Sequence, residues 1–267
     1  MGRKERLDVL LCARGLFPSR ERARSAIMAG IVFVRGQRVD KPGTKVDWDV
    51  PVDVRGTDQP YVSRGGLKLE RALRRFGIDL TGKVVLDVGA STGGFTDCAL
   101  RHGAAKVYAV DVGYGQLHWT LRQDPRVIVL ERTNIRYLSP ETLGAKPDFF
   151  TVDVAFISLQ LVLPQVDVLT AAGAAGVVLV KPQFEAGREQ VGKKGVVRDP
   201  AVHGRVLTSV LHTACELGWG VLGLDHSPFR GPEGNIEFLA HLQKGVGSAI
   251  DLATQIPRVV AKAHGNL

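Results

Sequence analysis

Ten consecutive residues, 87–96, restrict the fold of this chain more than any other segment. They read Asp-Val-Gly-Ala-Ser-Thr-Gly-Gly-Phe-Thr and follow the apolar residues 84–86. An apolar strand that ends in an acid and continues into a glycine-rich turn is how α/β proteins bring backbone N–H groups to a nucleotide-like cofactor. The sequence therefore predicts a cofactor-binding turn between a strand and a helix.

The spacing of this turn narrows the kind of cofactor. It lacks the early Gly-x-Gly pair of the dinucleotide fingerprint, which favours an adenosyl cofactor without a pyrophosphate, and S-adenosylmethionine is the predicted ligand. Asp111 ends the next predicted strand, where an acid accepts hydrogen bonds from ribose hydroxyls. The alternative interpretation of the glycine-rich turn is a tight turn that binds no ligand. Asn134 is either an adenine contact or a loop asparagine. The candidate cofactor-binding residues are Asp87, Gly89, Ala90, Ser91, Thr92, Gly93, Gly94, Phe95, Asp111, Val112, Asn134 and Asp153.

Apolar periodicity after Pro60 alternates between that of strands and that of helices. Such alternation predicts a parallel sheet covered by helices. We expect strands over residues 83–87, 106–111, 127–130, 148–153, 176–181, 219–226 and 235–242, and helices over 64–76, 94–102, 115–122, 158–171 and 201–217. The predicted fold is α/β and Rossmann-like, with a seven-stranded, mostly parallel, doubly wound sheet whose last two strands form an antiparallel pair.

Positive charge is concentrated at the amino-terminal end of the chain. Residues 1–75 hold 17 Lys or Arg and 9 Asp or Glu, whereas residues 76–267 hold 18 of each. Phosphate neutralisation supplies the sequence-independent part of nucleic-acid affinity, so this asymmetry favours a polyanion-binding module joined to a domain without excess charge. A solvated basic face is the alternative.

Residues 5–54 have the pattern of a small α+β unit. The leucines of residues 7–11 predict a first helix, and Ser19 is placed to cap a second. Short strands are expected at 31–34, around Val39 and at 50–54. This order resembles the RNA-binding domain first described in a small-subunit ribosomal protein. We expect an RNA-binding domain at 1–57, a linker at 58–62, a catalytic domain at 63–245 and a tail at 246–267.

The spacing of the cysteines and the hydropathy of the chain limit the cellular compartments in which the protein is expected. Cys12, Cys98 and Cys215 lie far apart without paired histidine spacing, so neither a disulfide framework nor a zinc site is predicted. The most apolar stretch, 169–180, contains two glycines and is shorter than the roughly 20 residues that span a bilayer. The start of the chain is charged rather than of signal-peptide type. We expect a cytoplasmic protein without membrane association.

Charged residues end two of the predicted strands. Asp153 ends the strand at 148–153, and Lys181 ends the strand at 176–181, after Leu179 and Val180. Open α/β sheets bind ligands at the carboxyl ends of their strands. Because lysine is almost never buried unless it is paired, Lys181 indicates a functional site at this edge. Structural ion pairs at the strand ends are the alternative.

Together these motifs resemble the TlyA family of ribosomal RNA 2′-O-methyltransferases, also labelled hemolysin A, whose catalytic domain is FtsJ-like. The matching stretches are 62–68, 87–96, 111–117, 130–134, 156–159, 181–185 and 231–237. The resemblance implies a class I methyltransferase domain that uses S-adenosylmethionine and methylates a ribose 2′-hydroxyl of ribosomal RNA, with cytidine as the target. It implies ribosomal RNA or ribosomal subunits as partners and no stable protein partner.

The resemblance also implies a catalytic tetrad, which falls here on Lys68, Asp153, Lys181 and Glu237. A ribose hydroxyl is too weak an acid to ionise at neutral pH, so the attacking oxygen must lose its proton as it reacts. A lysine kept neutral by burial and a neighbouring cation can accept that proton. We predict Lys181 as the base, Lys68 as the neighbouring cation, and the two carboxylates as orienting groups. No metal is required.

Two further features bear on RNA recognition. The loop at 183–199 is long for its position and carries glycines and cations, which predicts an RNA-contacting lid, with a solvated mobile loop as the alternative. Phe156 is either a stacking partner for a flipped base or a core residue. The candidate RNA-binding residues are Arg3, Lys4, Arg6, Arg20, Arg22, Arg24, Arg64, Arg188, Lys193 and Lys194.

Three other functions remain open from the sequence. A ribosome-associated RNA-binding protein without catalysis would give no heat on titration with S-adenosylmethionine. A membrane-lytic hemolysin would release the contents of liposomes. A small-molecule methyltransferase would leave the basic amino-terminal module without a use.

Overall fold

The computed structural model describes residues 4–17, 19–54, 60–231 and 233–267. The chain divides into two compact units, Met1–Gln59 and Pro60–Leu267. Arg3 and the predicted linker residues 58 and 59 lie outside the described residues, so the sequence-based domain boundaries stay a prediction.

The first unit combines short helices with short strands. Its elements are β1 (Lys4–Arg6), α1 (Leu7–Ala13), α2 (Arg20–Met28), β2 (Val32–Val34), β3 (Gln37–Arg38), β4 (Lys45–Asp47) and β5 (Val52–Val54). Ser19 caps α2 by accepting the Arg22 N–H, as its position in the sequence predicts. The leucines of α1 pack against Ala23 and Ile27 of α2. The pair of β1 with β4 was not predicted, because these charged three-residue strands carry no apolar periodicity.

The second unit holds fourteen regular elements within the described residues. They are α3 (Gly65–Phe76), β6 (Val84–Val88), α4 (Gly94–Arg101), β7 (Lys106–Val110), α5 (Trp119–Arg122), β8 (Val127–Leu130), β9 (Phe149–Val152), α6 (Leu159–Leu169), β10 (Ala175–Val180), α7 (Pro182–Glu185), α8 (Pro200–Glu216), β11 (Trp219–His226), β12 (Phe238–Lys244) and α9 (Leu252–Asn266). Short 3₁₀ turns lie at Ile135–Tyr137, Pro140–Thr142, Arg188–Gln190 and Lys193–Gly195.

The seven strands of this unit form one sheet in the order β11-β12-β10-β9-β6-β7-β8. Strands β6 to β10 run parallel, whereas β12 is antiparallel to both β10 and β11. This arrangement confirms the predicted Rossmann-like, mostly parallel sheet with an antiparallel last pair. The parallel strands all end at one edge, which is where their connecting loops meet.

Helices cover both faces of the sheet. Helices α6, α8 and α9 pack on one face around Phe150, Trp219 and Phe238. Helices α3 and α4 pack on the other face with Leu69 and Phe149. The segment predicted as a tail contains α9, whose apolar side is buried in this core. In the part of the chain that the structure describes, no helix is long and apolar enough to cross a membrane.

Two elements differ from their predicted bounds near the carboxyl edge. The helix expected at 115–122 begins only at Trp119, because Gly115 has a left-handed φ of 72° and the side chain of His118 caps the helix. The last strand begins at Phe238 rather than at residue 235, since Asn235 uses its side chain to hold a neighbouring loop. Both differences lengthen the loops at the carboxyl ends of the parallel strands.

We expect His203 to lower the stability of the second unit as the pH falls from 7 to 5. This side chain on α8 is fully buried, and it contacts His264 of α9 at 3.0 Å and the Val197 carbonyl at 3.2 Å. Burial and the neighbouring His264 lower the pKa of His203 to about 4. The folded state therefore binds fewer protons than the unfolded state below pH 6.5, and stability is lost as the pH falls from there toward 4, by about 2 kcal/mol at pH 5.

Denaturant unfolding at several pH values tests this expectation. His203→Gln should reduce the loss of stability between pH 7 and pH 5 by about 2 kcal/mol. His241, whose pKa burial also lowers to about 4, keeps its own contribution. His212→Gln, at an exposed histidine on the same helix, should leave it unchanged. An unaltered pH profile in His203→Gln would contradict the assignment.

Candidate active site

Asp87 lies behind the glycine-rich turn rather than at its surface. Its carboxylate is buried and accepts hydrogen bonds from Thr96 at 2.6 Å and Thr151 at 2.8 Å. Burial raises the pKa of Asp87 to about 6. Asp87 thereby ties β6 to β9 and α4 and holds the turn in place, without lining either of the cavities described below.

Two glycines of the turn are required by close packing. Gly89 has a φ of 83°, and a Cβ there would lie 2.4 Å from the Asp153 carbonyl oxygen. A Cβ on Gly94 would lie 2.8 Å from the backbone nitrogen of Gly66, at the start of α3. The turn therefore brings β9 and α3 to the same place. Gly93 faces Leu121 instead.

The first cavity, which we call the acidic cavity, has a volume of about 400 Å³. Asp111 lines it and accepts hydrogen bonds from the backbone N–H groups of Ser91 and Gly113, each at 2.7 Å. Val112 is largely exposed on its wall, and the Asn134 side chain accepts the Arg136 N–H at 3.1 Å. The predicted cofactor residues Gly89, Ser91, Asp111, Val112, Asn134 and Asp153 all line this cavity.

The chemistry of the acidic cavity suits an adenosyl group. Each oxygen of Asp111 retains a further lone pair after its backbone hydrogen bond, so the carboxylate can accept both hydroxyls of a ribose. Apolar wall residues Val112 and Ile135 offer a surface for an aromatic base. The residues present therefore fit S-adenosylmethionine.

The second cavity, which we call the lysine cavity, has a volume of about 260 Å³ and adjoins the first. The two cavities share Gly89, Ser91 and Asp153. The lysine cavity is further lined by Arg64 and Lys68 and by the turn residues Ala90, Thr92, Gly94 and Phe95. Asp153 thus stands between a cavity of adenosyl character and one that contains a buried lysine.

The four residues of the predicted tetrad form two ion pairs. Lys68 Nζ lies 2.5 Å from Glu237 Oε2, and Lys181 Nζ lies 2.6 Å from Asp153 Oδ1. The Lys68 and Glu237 side chains are only 10% and 2% exposed, so each charge depends on the other for compensation. One member of each pair, Lys68 and Asp153, lines the lysine cavity.

Strand direction explains why these residues meet. Asp153 and Lys181 directly follow the adjacent parallel strands β9 and β10. Glu237 precedes β12, which is antiparallel to β10 and places Phe238 opposite Val180. The start of β12 and the ends of β9 and β10 therefore lie at one edge of the sheet. Lys68 reaches this edge from α3.

Phe229 is a wall residue of the lysine cavity that the sequence reasoning missed. The Arg64 guanidinium carbon lies 5.5 Å from the centre of its ring, and Lys68 Nζ lies 5.6 Å from it. Such positions allow a cation–π attraction. The only signal in the sequence was its place shortly before Glu237, which is not specific.

Phe156 is not a core residue. It is 91% exposed beside the acidic cavity, and its ring centroid lies 4.9 Å from that of Phe184. Its φ of 63° is uncommon for a residue with a large side chain. The core alternative is therefore wrong, and stacking on a base stays a prediction.

The loop at 183–199 is anchored at both ends. Glu185 accepts hydrogen bonds from the hydroxyl of Ser158 and the N–H of Leu159, at 2.6 and 2.8 Å. Asn235 accepts the Val197 N–H at 3.0 Å. Arg188 and Lys194 are exposed between these anchors, and the lid stays a prediction.

Five of the predicted RNA-binding cations lie exposed in the first unit: Lys4, Arg6, Arg20, Arg22 and Arg24. Arg6 and Arg20 both contact the fully buried Asp8, at 3.0 and 2.9 Å. The hydrogen bond from Arg6, followed by that from Arg20, holds the pKa of Asp8 at about 2. The single Asp8 carboxylate holds the guanidinium groups of Arg6 and Arg20 near the surface, and it compensates only one of their two positive charges.

A seven-stranded sheet of this order, with an adenosyl-type cavity next to paired lysines and carboxylates, defines a Rossmann-like methyltransferase domain. Comparison with known proteins specifies the class further. The model of the FtsJ-like methyltransferase family matches residues 61–244, and the S4 domain model matches residues 5–48. The chain belongs to the FtsJ-like methyltransferase family and is a TlyA/YqxC-type enzyme within it.

Individual relatives cover nearly the whole chain. YqxC from Bacillus subtilis (strain 168) is 54% identical over 269 residues, covering 99% of this chain and 96% of YqxC. The 16S/23S rRNA (cytidine-2′-O)-methyltransferase TlyA from Mycobacterium tuberculosis (strain ATCC 25618 / H37Rv) is 47% identical over 251 residues, covering 94% of each chain. A solved structure from Streptococcus thermophilus is 50% identical with a TM-score of 0.79, covering 98% of this chain and 96% of that one.

Proposed function

We propose that this methyltransferase uses S-adenosylmethionine to methylate a ribose 2′-hydroxyl of ribosomal RNA, with cytidine as the target nucleoside. The observation that carries the proposal is the two ion pairs, Lys68–Glu237 and Lys181–Asp153. Lys68 lines the lysine cavity, and Asp153 lines both cavities. The relationship to TlyA from Mycobacterium tuberculosis supports the choice of substrate.

The acidic cavity would hold the adenosyl part of the cofactor. Asp111 would accept the ribose hydroxyls, and the backbone of the turn at Gly89 and Ser91 would lie against the rest of the ligand. Asp87 would act by positioning, because its carboxylate is buried against Thr96 and Thr151 and lines neither cavity. When bound, S-adenosylmethionine supplies an electrophilic methyl group on a sulfonium.

The lysine cavity would hold the target nucleotide. Lys181, in its neutral amine form, would accept the proton that the 2′-hydroxyl loses and thereby become the ammonium that pairs with Asp153, and Lys68 would stabilise negative charge on the attacking oxygen. Asp153 and Glu237 would hold the two ammonium groups in place, which keeps the cluster electrically balanced. Fixing the oxygen in line with the methyl group supplies the remaining acceleration.

The basic first unit would supply RNA affinity. Its exposed cations, including Arg22 and Arg24 on α2, present positive charge that phosphate groups neutralise. Arg188 and Lys194, exposed on the loop at 183–199, would add contacts to the RNA.

Incubation of the purified protein with unmodified ribosomal RNA and S-adenosylmethionine tests this function. We expect methylation at the 2′-oxygen of cytidine, detected by mass spectrometry of nuclease digests. RNA with a 2′-deoxy nucleotide at the mapped position should accept no methyl group. Methylation on a base, or transfer that persists in the 2′-deoxy RNA, would contradict the proposal.

A further inference from the structure

A third cavity lies on the side of α3 that continues from the lysine cavity. Its volume is about 500 Å³. Leu67, Pro228 and Phe229 supply apolar wall surface, and Arg71, Arg74, Arg75 and Lys262 supply cations. We call it the arginine groove. None of its four cations belongs to the cofactor site, the tetrad or the RNA-binding residues predicted from the sequence.

The groove carries more positive than negative charge. The buried carboxylate of Asp225 contacts Arg71 at 2.9 Å, Lys262 at 3.3 Å and Arg75 at 3.8 Å. Glu70 contacts Arg74 at 3.3 Å. These two carboxylates face four cations, so two positive charges are left without compensation inside the groove. The buried Nε of Arg71 also has no hydrogen-bond partner.

The shared carboxylate prepares the groove for an anion. Asp225 holds Arg71 from α3 and Lys262 from α9 in fixed positions, while Arg75 is 60% exposed and Arg74 is 79% exposed. Side chains that are already ordered lose less entropy when a ligand binds. A ligand with several negative groups would therefore find a partly preorganised site.

The groove is continuous with the proposed methyl-transfer site. Lys68, Arg71 and Arg75 follow one another at helical spacing, so they lie along one face of α3. The seven residues from Lys68 to Arg75 correspond to about 10 Å along the helix axis. Phe229 belongs to the walls of both the lysine cavity and the groove.

We propose that the arginine groove binds the phosphodiester backbone of the RNA strand next to the methylated nucleotide. The inference rests on the proposed function, because a nucleotide held at Lys68 must continue into flanking phosphates. Cations combined with an aromatic wall are the usual means of holding single-stranded nucleic acid, since the cations meet phosphates and the ring meets a base. A purely acidic polymer would use the cations but not Phe229.

The test measures RNA binding by the full-length protein as a function of salt. The variant is Arg74→Ala/Arg75→Ala, which leaves Arg71 and Lys262 to compensate Asp225. With a fluorescently labelled single-stranded oligoribonucleotide, we expect the slope of log Kd against log salt to fall by about 1.4 for two lost phosphate contacts. In methylation of ribosomal RNA, the loss should appear in KM, while titration with S-adenosylmethionine stays unchanged.

The matched control is Lys106→Ala/Lys146→Ala, which removes two cations near the amino-terminal ends of β7 and β9, at the opposite edge of the sheet. This control should keep the wild-type slope. An equal slope in wild type and Arg74→Ala/Arg75→Ala would overturn the proposal, as would an equal loss of affinity for polyglutamate. Binding is measured without methyl transfer, so a wild type that binds RNA but methylates nothing would contradict the proposed function alone.

Discussion

Lys181→Ala should reduce the single-turnover rate of methyl transfer by about 10²- to 10⁴-fold, the usual contribution of a general base. The Lys181 ammonium group lies 2.6 Å from Asp153, which lines both the acidic and the lysine cavities. Its removal takes away the proposed proton acceptor and leaves the hydrogen bonds of Asp111 in place. Affinity for S-adenosylmethionine, measured by calorimetric titration, should therefore remain close to that of the wild type.

A second substitution separates proton transfer from charge. Lys181→Arg keeps a cation beside Asp153, but a guanidinium does not lose its proton in proteins. This variant should fold normally, and its single-turnover rate of methyl transfer should still fall. Lys146→Ala serves as the control, because Lys146 lies before the amino-terminal end of β9, far along the sheet from Lys181. This control should keep the wild-type rate of methyl transfer. A wild-type single-turnover rate in Lys181→Ala or Lys181→Arg would show that Lys181 is not the base.

Glu237→Ala should destabilise the second unit by about 3–5 kcal/mol, because it leaves a buried lysine without its partner. The Lys68 side chain is only 10% exposed, and its ammonium group lies 2.5 Å from Glu237. Urea unfolding followed by circular dichroism measures the loss. The reference is Asp124→Ala, which breaks a more exposed pair with Arg126 and should cost at most about 1 kcal/mol.

A double variant distinguishes the role of this pair in stability from its role in methyl transfer. Lys68→Met/Glu237→Leu removes both charges and fills a similar volume, so most of the lost stability should return. Methyl transfer should not return, because the ammonium group proposed to stabilise the attacking oxygen is then missing. Recovery of activity together with stability would mean that Lys68 and Glu237 serve only the fold.

Sequence patterns were sufficient for the sheet and the glycine-rich turn. Strands β6 to β11 lie within two residues of their predicted bounds, because each is rich in apolar residues and is bounded by turn residues. Asp111 was located by the same reasoning, as the acid that ends a strand. In both cases the sequence pattern that supports the prediction lies within a short stretch of the chain.

Patterns were insufficient wherever a side chain acts on a distant part of the chain. Asp87 stays a predicted cofactor residue, but only the structure shows that its carboxylate is buried against Thr96 and Thr151 and lines neither cavity. Phe156 was compatible with the core until its exposure was known. The arginine groove had no sequence signal, because Arg71 and Asp225 are 154 positions apart.

The sequence by itself determined the fold class, the cofactor turn and the excess charge of the amino-terminal end. These properties follow from periodicity and composition, which depend only on residues that are close together in the sequence. Only the tertiary structure decided which charges compensate one another, since Lys68 meets Glu237 across 169 positions of chain. That pairing depends on the antiparallel direction of β12, which brings its first residues to the edge where the parallel strands end.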